Sequence, residues 1–282
     1  MKKIFKIGHF CFQVVYPTEL MIPHHFLQFE VKNENINYVY DISICHILPI
    51  IDGKIIAQRD DIIVYQTSNG EARMIGMKGR SDYYACYEEV DSKHAKIIVD
   101  SHSLDLFSID PVFVSIFALE RHLLKSNEFI LHCSYIEYQN KALLFSGPSG
   151  IGKSTQADLW QLYLESKIIN GDRALIGFNE DGYLAQGWPV CGTSNICHNL
   201  SLPIQAIIML EQGEENHITQ LSKGQAFSLL YSQITMNKWN YLDHLKTMDL
   251  IEHLICTIPI YQYTCTISKE AVLYLKHTIY KD

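Results

Sequence analysis

The run Gly147-Pro-Ser-Gly-Ile-Gly152-Lys153-Ser154 constrains this chain more than any other stretch. It fits the pattern GxxxxGK[ST] in full. It lies between the apolar run "KALLFS" and the helical pattern "KSTQADLWQLYLES". A strand, a tight glycine turn and a helix opening on Lys-Ser together form a cradle for phosphate oxygens. Glycine allows the backbone path that turns successive N–H groups inward, and the helix N-terminus adds partial positive charge. Lys153 is expected to reach the β- and γ-phosphates of a nucleotide, and Ser154 to offer its hydroxyl to Mg²⁺. Gly147, Ser149, Gly150, Ile151, Gly152 and Thr155 complete the expected binding set, for ATP or GTP with Mg²⁺.

Such a turn needs a carboxylate beyond it, and two strand patterns offer one. "KIINGD" ends at Asp172 and "AIIMLE" ends at Glu211. Glu211 would suit a nucleotide hydrolase or switch that activates water. Two features favour Asp172. The strand before the glycine turn follows closely on another, "EFILHCSYIEY", joined by Gln139-Asn140, which reads as an antiparallel hairpin rather than the start of a parallel series. Asp172 also neighbours Arg173, the only arginine after Arg121, and a cation there would help to hold a transferring phosphoryl group. Glu211 sits in "LEQGEENH", which reads as a solvated acidic loop. Lys223 is a second candidate clamp.

The length of 282 residues accommodates one large domain or two modest ones. A net charge of -8, with no basic run to offset it locally, argues against a nucleic-acid coat. No apolar run approaches the roughly 18 residues of a membrane span. The N-terminal "MKKIFKIGHFCFQVVY" is interrupted by Lys6, Gly8, His9 and Gln13, so it reads as strand rather than signal peptide. Eight scattered cysteines without a CxxC pair fit reduced thiols and a cytoplasmic location. "CGTSNICH" reads as loop and core rather than a zinc site, since paired spacing and a fourth ligand are missing.

Residues 1–104 are rich in aromatic and β-branched runs, including "HHFLQFEV", and read as a small antiparallel β-domain. Asp52-Gly53 and Asn69-Gly70 are the expected hairpin turns, and His24-His25 read as structural. From residue 105 the pattern alternates. Asp110 is a candidate N-cap with Pro111 behind it, and Val112, Ile116, Leu119 and Leu123 follow at helical spacing. Further helices are expected over 223 to 256 and from Ser268, with a strand "IYQYTCTI" between them. The expected class is α+β or α/β: an antiparallel β-rich domain over 1–104, then a nucleotide-binding domain over 105–282 with a mixed sheet and flanking helices.

"LHCSYIEYQNKALLFSGPSGIGKST" followed by "IINGDRALI" resembles the catalytic domain of the HPr kinase/phosphorylase family, whose fold is related to phosphoenolpyruvate carboxykinase. The resemblance covers roughly residues 128 to 212. It extends to a less-characterised branch that includes kinases of peptide precursors. It implies that Asp172 takes the proton of the acceptor serine, that Lys153 and Ser154 contact phosphates and Mg²⁺, and that His132 lies near the phosphates. Asp172 and Ser154 would then be the metal-side residues, and Asp172, His132 and Arg173 the catalytic set. Family members carry two adjacent aspartates where this chain has Gly171-Asp172, so one carboxylate would serve both metal and acceptor. The family's C-terminal signature is absent, and the N-terminal half differs in character.

The function expected on this basis is an ATP-dependent kinase for a hydroxyl, serine above all, on a peptide, protein or small molecule. No nucleic-acid or membrane partner is expected, and a homo-oligomer is compatible with the sequence. The alternatives are the hydrolase or switch using Glu211 and a non-catalytic nucleotide-binding protein. Carboxykinase chemistry would want more basic residues after position 121 than the chain has.

Overall fold

The computed structural model describes residues 1–80 and 82–280. The chain forms two compact units, Met1–His122 and Leu123–Asp282.

In the first unit, β1 (Lys2–Ile7) and β2 (Phe10–Val15) form a hairpin, and helix α1 (His24–Leu27) leads to β3 (Glu30–Val31). Then come β4 (Tyr38–Cys45), β5 (Lys54–Arg59), β6 (Ile62–Gln66), β7 (Glu71–Gly76), β8 (Tyr83–Asp91) and β9 (His94–Asp100). They build one nine-stranded sheet in the order β3-β1-β2-β4-β9-β8-β7-β6-β5. The sheet is mixed rather than antiparallel, because β4 runs parallel to both β2 and β9. After β4 the chain crosses to the far edge of the sheet, then returns strand by strand. Asp52-Gly53 therefore leads into the edge strand β5 and is not a hairpin turn. Asn69-Gly70 does join antiparallel neighbours β6 and β7, with Gly70 at φ +142°.

"HHFLQFEV" is helix, then a two-residue strand. Pro23 precedes α1, which buries Phe26 against Phe5, Phe12, Phe113 and Phe117. The segment expected as one helix from Asp110 is two, α2 (Asp110–Ser115) and α3 (Leu119–Lys125), separated where Ala118 takes φ +50°. The Phe117 carbonyl there accepts a 2.8 Å hydrogen bond from the buried Tyr40 hydroxyl. Ile109 holds the N-cap position, and the Asp110 carboxylate instead meets His25 Nδ1 at 2.7 Å. The rings of Phe113 and Phe117 belong to the first unit's aromatic core. The division consequently falls after His122, later than the change of composition near residue 104.

The second unit starts with β10 (Phe129–Tyr138), β11 (Lys141–Ser146), α4 (Lys153–Leu164), β12 (Lys167–Asn170), β13 (Arg173–Asn179) and β14 (Gly182–Gln186). It continues through β15 (Leu202–Gln212), β16 (His217–Gln220), α5 (Lys223–Tyr231), β17 (Ile234–Thr235), α6 (Tyr241–Thr257), β18 (Ile260–Cys265) and α7 (Lys269–Ile279). Gln139 and Asn140, both at positive φ, turn β10 back onto β11.

Two long strands change partners along their length. Residues 129–132 of β10 pair with β13, while residues 133–138 pair with β11. Leu202 and Pro203 of β15 pair with β14, and the residues from Ile204 onward run parallel to β11 and β18. Side chains alternate across this sheet as the pleat requires. Leu144 and Ile207 face a cluster with Ala226, Leu230, Ile251 and Leu254 of α5 and α6. Leu143, Phe145 and Ile208 face Ala157 and Trp160 of α4 with Ala271 and Leu275 of α7. The sheet is thus packed between two helical layers. Among the described residues no helix is long and apolar enough to cross a membrane.

Candidate functional site

The glycine-rich turn leaves β11, the strand held between antiparallel β10 and parallel β15. Gly147, Gly150 and Gly152 take φ of +141°, +81° and +114°, a region that side chains with a Cβ rarely enter. A residue with a Cβ would be strained at each of those places. Gly152 is the N-cap of α4, so Lys153 and Ser154 begin the helix. Lys153 is only 7% exposed, and its Nζ donates to the carbonyls of Gly147 and Pro148 at 3.0 Å each. Burial lowers its pKa, partly offset by the Asp172 carboxylate.

Opposite the turn lies the point where β10 changes partner. His132 is the last β10 residue paired to β13, and its carbonyl accepts from the Ser146 hydroxyl at 2.7 Å. Cys133 N–H, the next donor along, bonds the Asp172 carbonyl at 3.0 Å. Asp172 thereby sits in the short turn between β12 and β13, with both flanking strands anchored on β10.

One buried side chain shapes this turn. Asn170 Oδ1 accepts from the backbone N–H of Asp172 and of Arg173, both at 2.9 Å. Its Nδ2 donates to the carbonyls of Trp188 and Val190 at 2.8 and 3.0 Å. All four hydrogen-bonding positions of the amide are used. Asn170 therefore ties the Asp172 turn to the segment after β14.

That segment ends in the short turn Gly192–Ser194, which covers Gly171 and Asp172. A Cβ on Gly171 would lie 2.2 Å from Ser194 Oγ, so an aspartate cannot be added there without moving the turn. Gly192, at φ +58°, approaches the Asp172 side chain to within 3.1 Å of its own ideal Cβ position.

A cleft of about 390 Å³ opens between these parts. Ser149, Gly150, Gly152, Lys153, Ser154 and Thr155 form one wall. His132, Gly171, Asp172, Gly192 and Thr193 form the other. His132 Nε2 stands 3.6 Å from Asp172 Oδ1. Burial lowers the His132 pKa, helped by the Lys153 charge and opposed by Asp172. Arg173 does not line the cleft. Its Nε donates to Asp172 Oδ2 at 3.0 Å and a terminal nitrogen donates to Thr235 Oγ1 at 2.7 Å, which fixes the carboxylate from behind.

Other candidates fall elsewhere. Gly147 contributes its carbonyl to Lys153, and Ile151 points to the neighbouring cavity. Glu211 is on β15 rather than in a loop, and its Oε2 accepts from Gln262 and Thr264 of β18 at 2.8 and 3.1 Å, outside the cleft. Lys223 opens α5 with its Nζ on Cys256 Sγ. Cys191 and Cys197 are buried, and the Cys197 thiol donates to the Trp188 carbonyl. Sequence reasoning missed Asn170, Gly192 and Thr193. The only available signal was the Gly-Thr-Ser-Asn cluster, which announces a turn without saying what it covers.

Residues 99–279 match the family model described as SynChlorMet cassette protein ScmC. No curated protein shows significant sequence similarity to the chain. Among solved structures, the Hpr(Ser) kinase/phosphatase from Coxiella burnetii aligns at 9% identity with a TM-score of 0.32, covering 52% of this chain and 86% of that one. That likeness is too slight to argue from, so the expected HPr kinase resemblance stands on the motif residues alone. The family model, by contrast, spans well over half of the sequence, and the chain belongs to the ScmC cassette protein family.

Proposed function

We propose that this chain is an ATP-dependent kinase that moves the γ-phosphoryl group to a hydroxyl, a serine in particular, on a peptide, protein or small molecule. The observation that carries the reading is the opposition, across one cleft, of Lys153 and Ser154 to Asp172 and His132. A cation and backbone donors stand on one wall, a carboxylate base on the other. Phosphoryl transfer asks little more than this positioning of charge.

Lys153 leaves its two loop carbonyls and turns to the phosphates. Asp172, oriented by Arg173, accepts the proton of the acceptor hydroxyl. As the hydroxyl oxygen bonds the γ-phosphorus, the bond to the β–γ bridging oxygen breaks and ADP departs. His132, kept neutral by its surroundings, can donate one hydrogen bond without adding charge. The Ser154 hydroxyl and the Asp172 carboxylate are hard oxygen ligands in the same cleft, a donor set that suits Mg²⁺. Bound there, Mg²⁺ would neutralise charge on the β- and γ-phosphates. The β-rich first unit is the candidate for acceptor recognition.

The test is incubation with γ-labelled ATP and a panel of free serine, HPr and a precursor peptide. Label should enter an acceptor in the parent protein and be lost in Asp172→Asn, while Glu211→Gln retains it. Phosphate release without transfer, lost in Glu211→Gln and kept in Asp172→Asn, would instead establish a hydrolase.

A further inference from the structure

Beside the cleft, on the side of the glycine turn away from Asp172, lies a second and larger cavity of about 520 Å³. Gly150, Gly152 and Thr155 line both, so the two form one trough over the start of α4. The second part runs to the ends of β15 and β18 and to the turn before α7, where Gln212, Gly213, Cys265, Thr266 and Ile267 stand.

We propose that this cavity seats the adenine and ribose of the nucleotide whose phosphates the glycine turn holds. The inference rests on the phosphate-binding reading of that turn and adds the place of the base and the residues that select it. A triphosphate lying with its γ end between Lys153 and Asp172 must extend its nucleoside the other way along the trough. That direction ends in this cavity.

The lining has the character a base requires, an apolar body with a few directed polar groups. Ile151 supplies one apolar side. Ile267 is 78% exposed, an isoleucine left in water beside the opening, and a flat ring beneath it would cover its side chain. The Cys265 thiol, its pKa pushed up to about 11 by burial, is neutral and serves as a further apolar contact. Gln156 is 3% exposed. Its Nε2 donates to Cys265 Sγ and the Thr266 carbonyl at 3.2 and 3.3 Å, whereas its Oε1 has no hydrogen-bond partner among the described residues. A buried acceptor left unused costs free energy that a ligand N–H or O–H would recover.

The polar groups also discriminate between bases. An amide matches adenine, which offers a donor amine beside an acceptor nitrogen, while arginine or lysine matches the paired acceptors of guanine. Gln212 presents such an amide, tied to the Gly150 and Ile151 carbonyls only by long contacts of 3.4 and 3.5 Å. No arginine, lysine or carboxylate is among the residues that line the cavity. Guanine would find neither a cation for its acceptors nor an acid for its ring N–H and amine.

Calorimetric titration of the full chain with ATP, GTP and inorganic tripolyphosphate, each with Mg²⁺, tests this. ATP should bind roughly tenfold or more tightly than GTP or tripolyphosphate, the scale of one well-made amide–base pair. Gln212→Ala and Ile267→Asn, both at the surface, should each erase most of that margin and leave tripolyphosphate affinity unchanged. If tripolyphosphate binds as tightly as ATP, or GTP binds more tightly, the adenine assignment falls while the phosphate reading stands. The same holds if both variants keep the full preference for ATP. If the parent protein binds neither ATP nor tripolyphosphate, both readings fall together.

Discussion

Gly171→Ala is a one-carbon change whose cost can be worked from the structure. The added Cβ would stand 2.2 Å from Ser194 Oγ and 2.4 Å from Ser194 Cβ. Normal contact between such atoms begins near 3.5 Å, so the Gly192–Ser194 turn must retreat by about 1 Å or more. That retreat strains the hydrogen bonds from Ser194 Oγ to the Cys191 carbonyl at 2.7 Å and from Ile196 N–H to Ser194 Oγ at 3.2 Å. Overpacking of this kind costs about 1–3 kcal/mol. Gly171 is not at positive φ, so the stiffer unfolded chain returns about 0.4–1 kcal/mol. The net loss should be about 1–2 kcal/mol, or a fall in Tm of about 2–8 °C for a unit of this size.

Trp160, Trp188 and Trp239, the only tryptophans, all lie in the second unit, so their fluorescence follows its unfolding without interference from the first. Ser194→Gly alone should lose about 1 kcal/mol with its hydrogen bonds. Adding Gly171→Ala to Ser194→Gly should then cost nothing further, because the clash has been removed. Additivity of the two changes within about 0.5 kcal/mol would refute the contact on which the reasoning depends.

Asn170→Ala should be far more damaging than any surface change. It leaves two backbone N–H groups and the Val190 carbonyl without their partner in the interior, and the Trp188 carbonyl with the Cys197 thiol alone, a loss of more than about 3 kcal/mol in urea titration. Asn170→Asp should rescue little, since it keeps the acceptor but aims a second acceptor at the two carbonyls. His132→Gln should change the pH dependence of stability. The His132 pKa is lowered on folding, so the unfolded state binds its proton first. Its contribution is then complete above the unfolded value near 6.5 and is lost as pH falls towards the folded one. The parent protein should accordingly lose stability relative to His132→Gln between pH 7 and pH 5, and a constant difference would count against burial as the cause. Lys153→Met should abolish tripolyphosphate binding in calorimetry while leaving Tm within a few degrees, because methionine keeps the packing of the side chain and only the two Nζ hydrogen bonds are lost.

The elements around the site follow local chemistry that the sequence displays openly. The glycine turn, the Gln139-Asn140 hairpin and the helix capped at Ser268 each depend on residues within a few positions of one another. What escaped notice depends on partners far along the chain. Asp52-Gly53 has the composition of a hairpin, but the strand before it pairs with β9, some fifty residues later in sequence. "HHFLQF" has the composition of a strand, yet Phe26 is drawn into a cluster with Phe113 and Phe117 that only the folded unit creates. Periodicity correctly placed Val112, Ile116, Leu119 and Leu123 on a buried face, but not the break at Ala118, where a distant tyrosine claims a carbonyl. In the site itself the glycine turn and Asp172 could be read from motif, whereas Asn170 is an ordinary residue at the end of a strand until its four partners are known. The same holds for the one missing aspartate. Gly171 reads as an omission in sequence and as a steric requirement beneath Ser194 in the structure.

The change of partners along β10 and β15 bears on how the site comes into being. β11 cannot acquire its parallel neighbour until residues 142–146 and 204–209 meet, and Asp172 cannot be anchored until β10 has accepted both β12 and β13. These are distant pairings, whose closure is slow and cooperative. The cleft has no smaller precursor: its two walls come together only when the second unit closes. Ligand binding at the glycine turn would therefore report the completed fold, and a fragment ending before β15 should show the motif without the site.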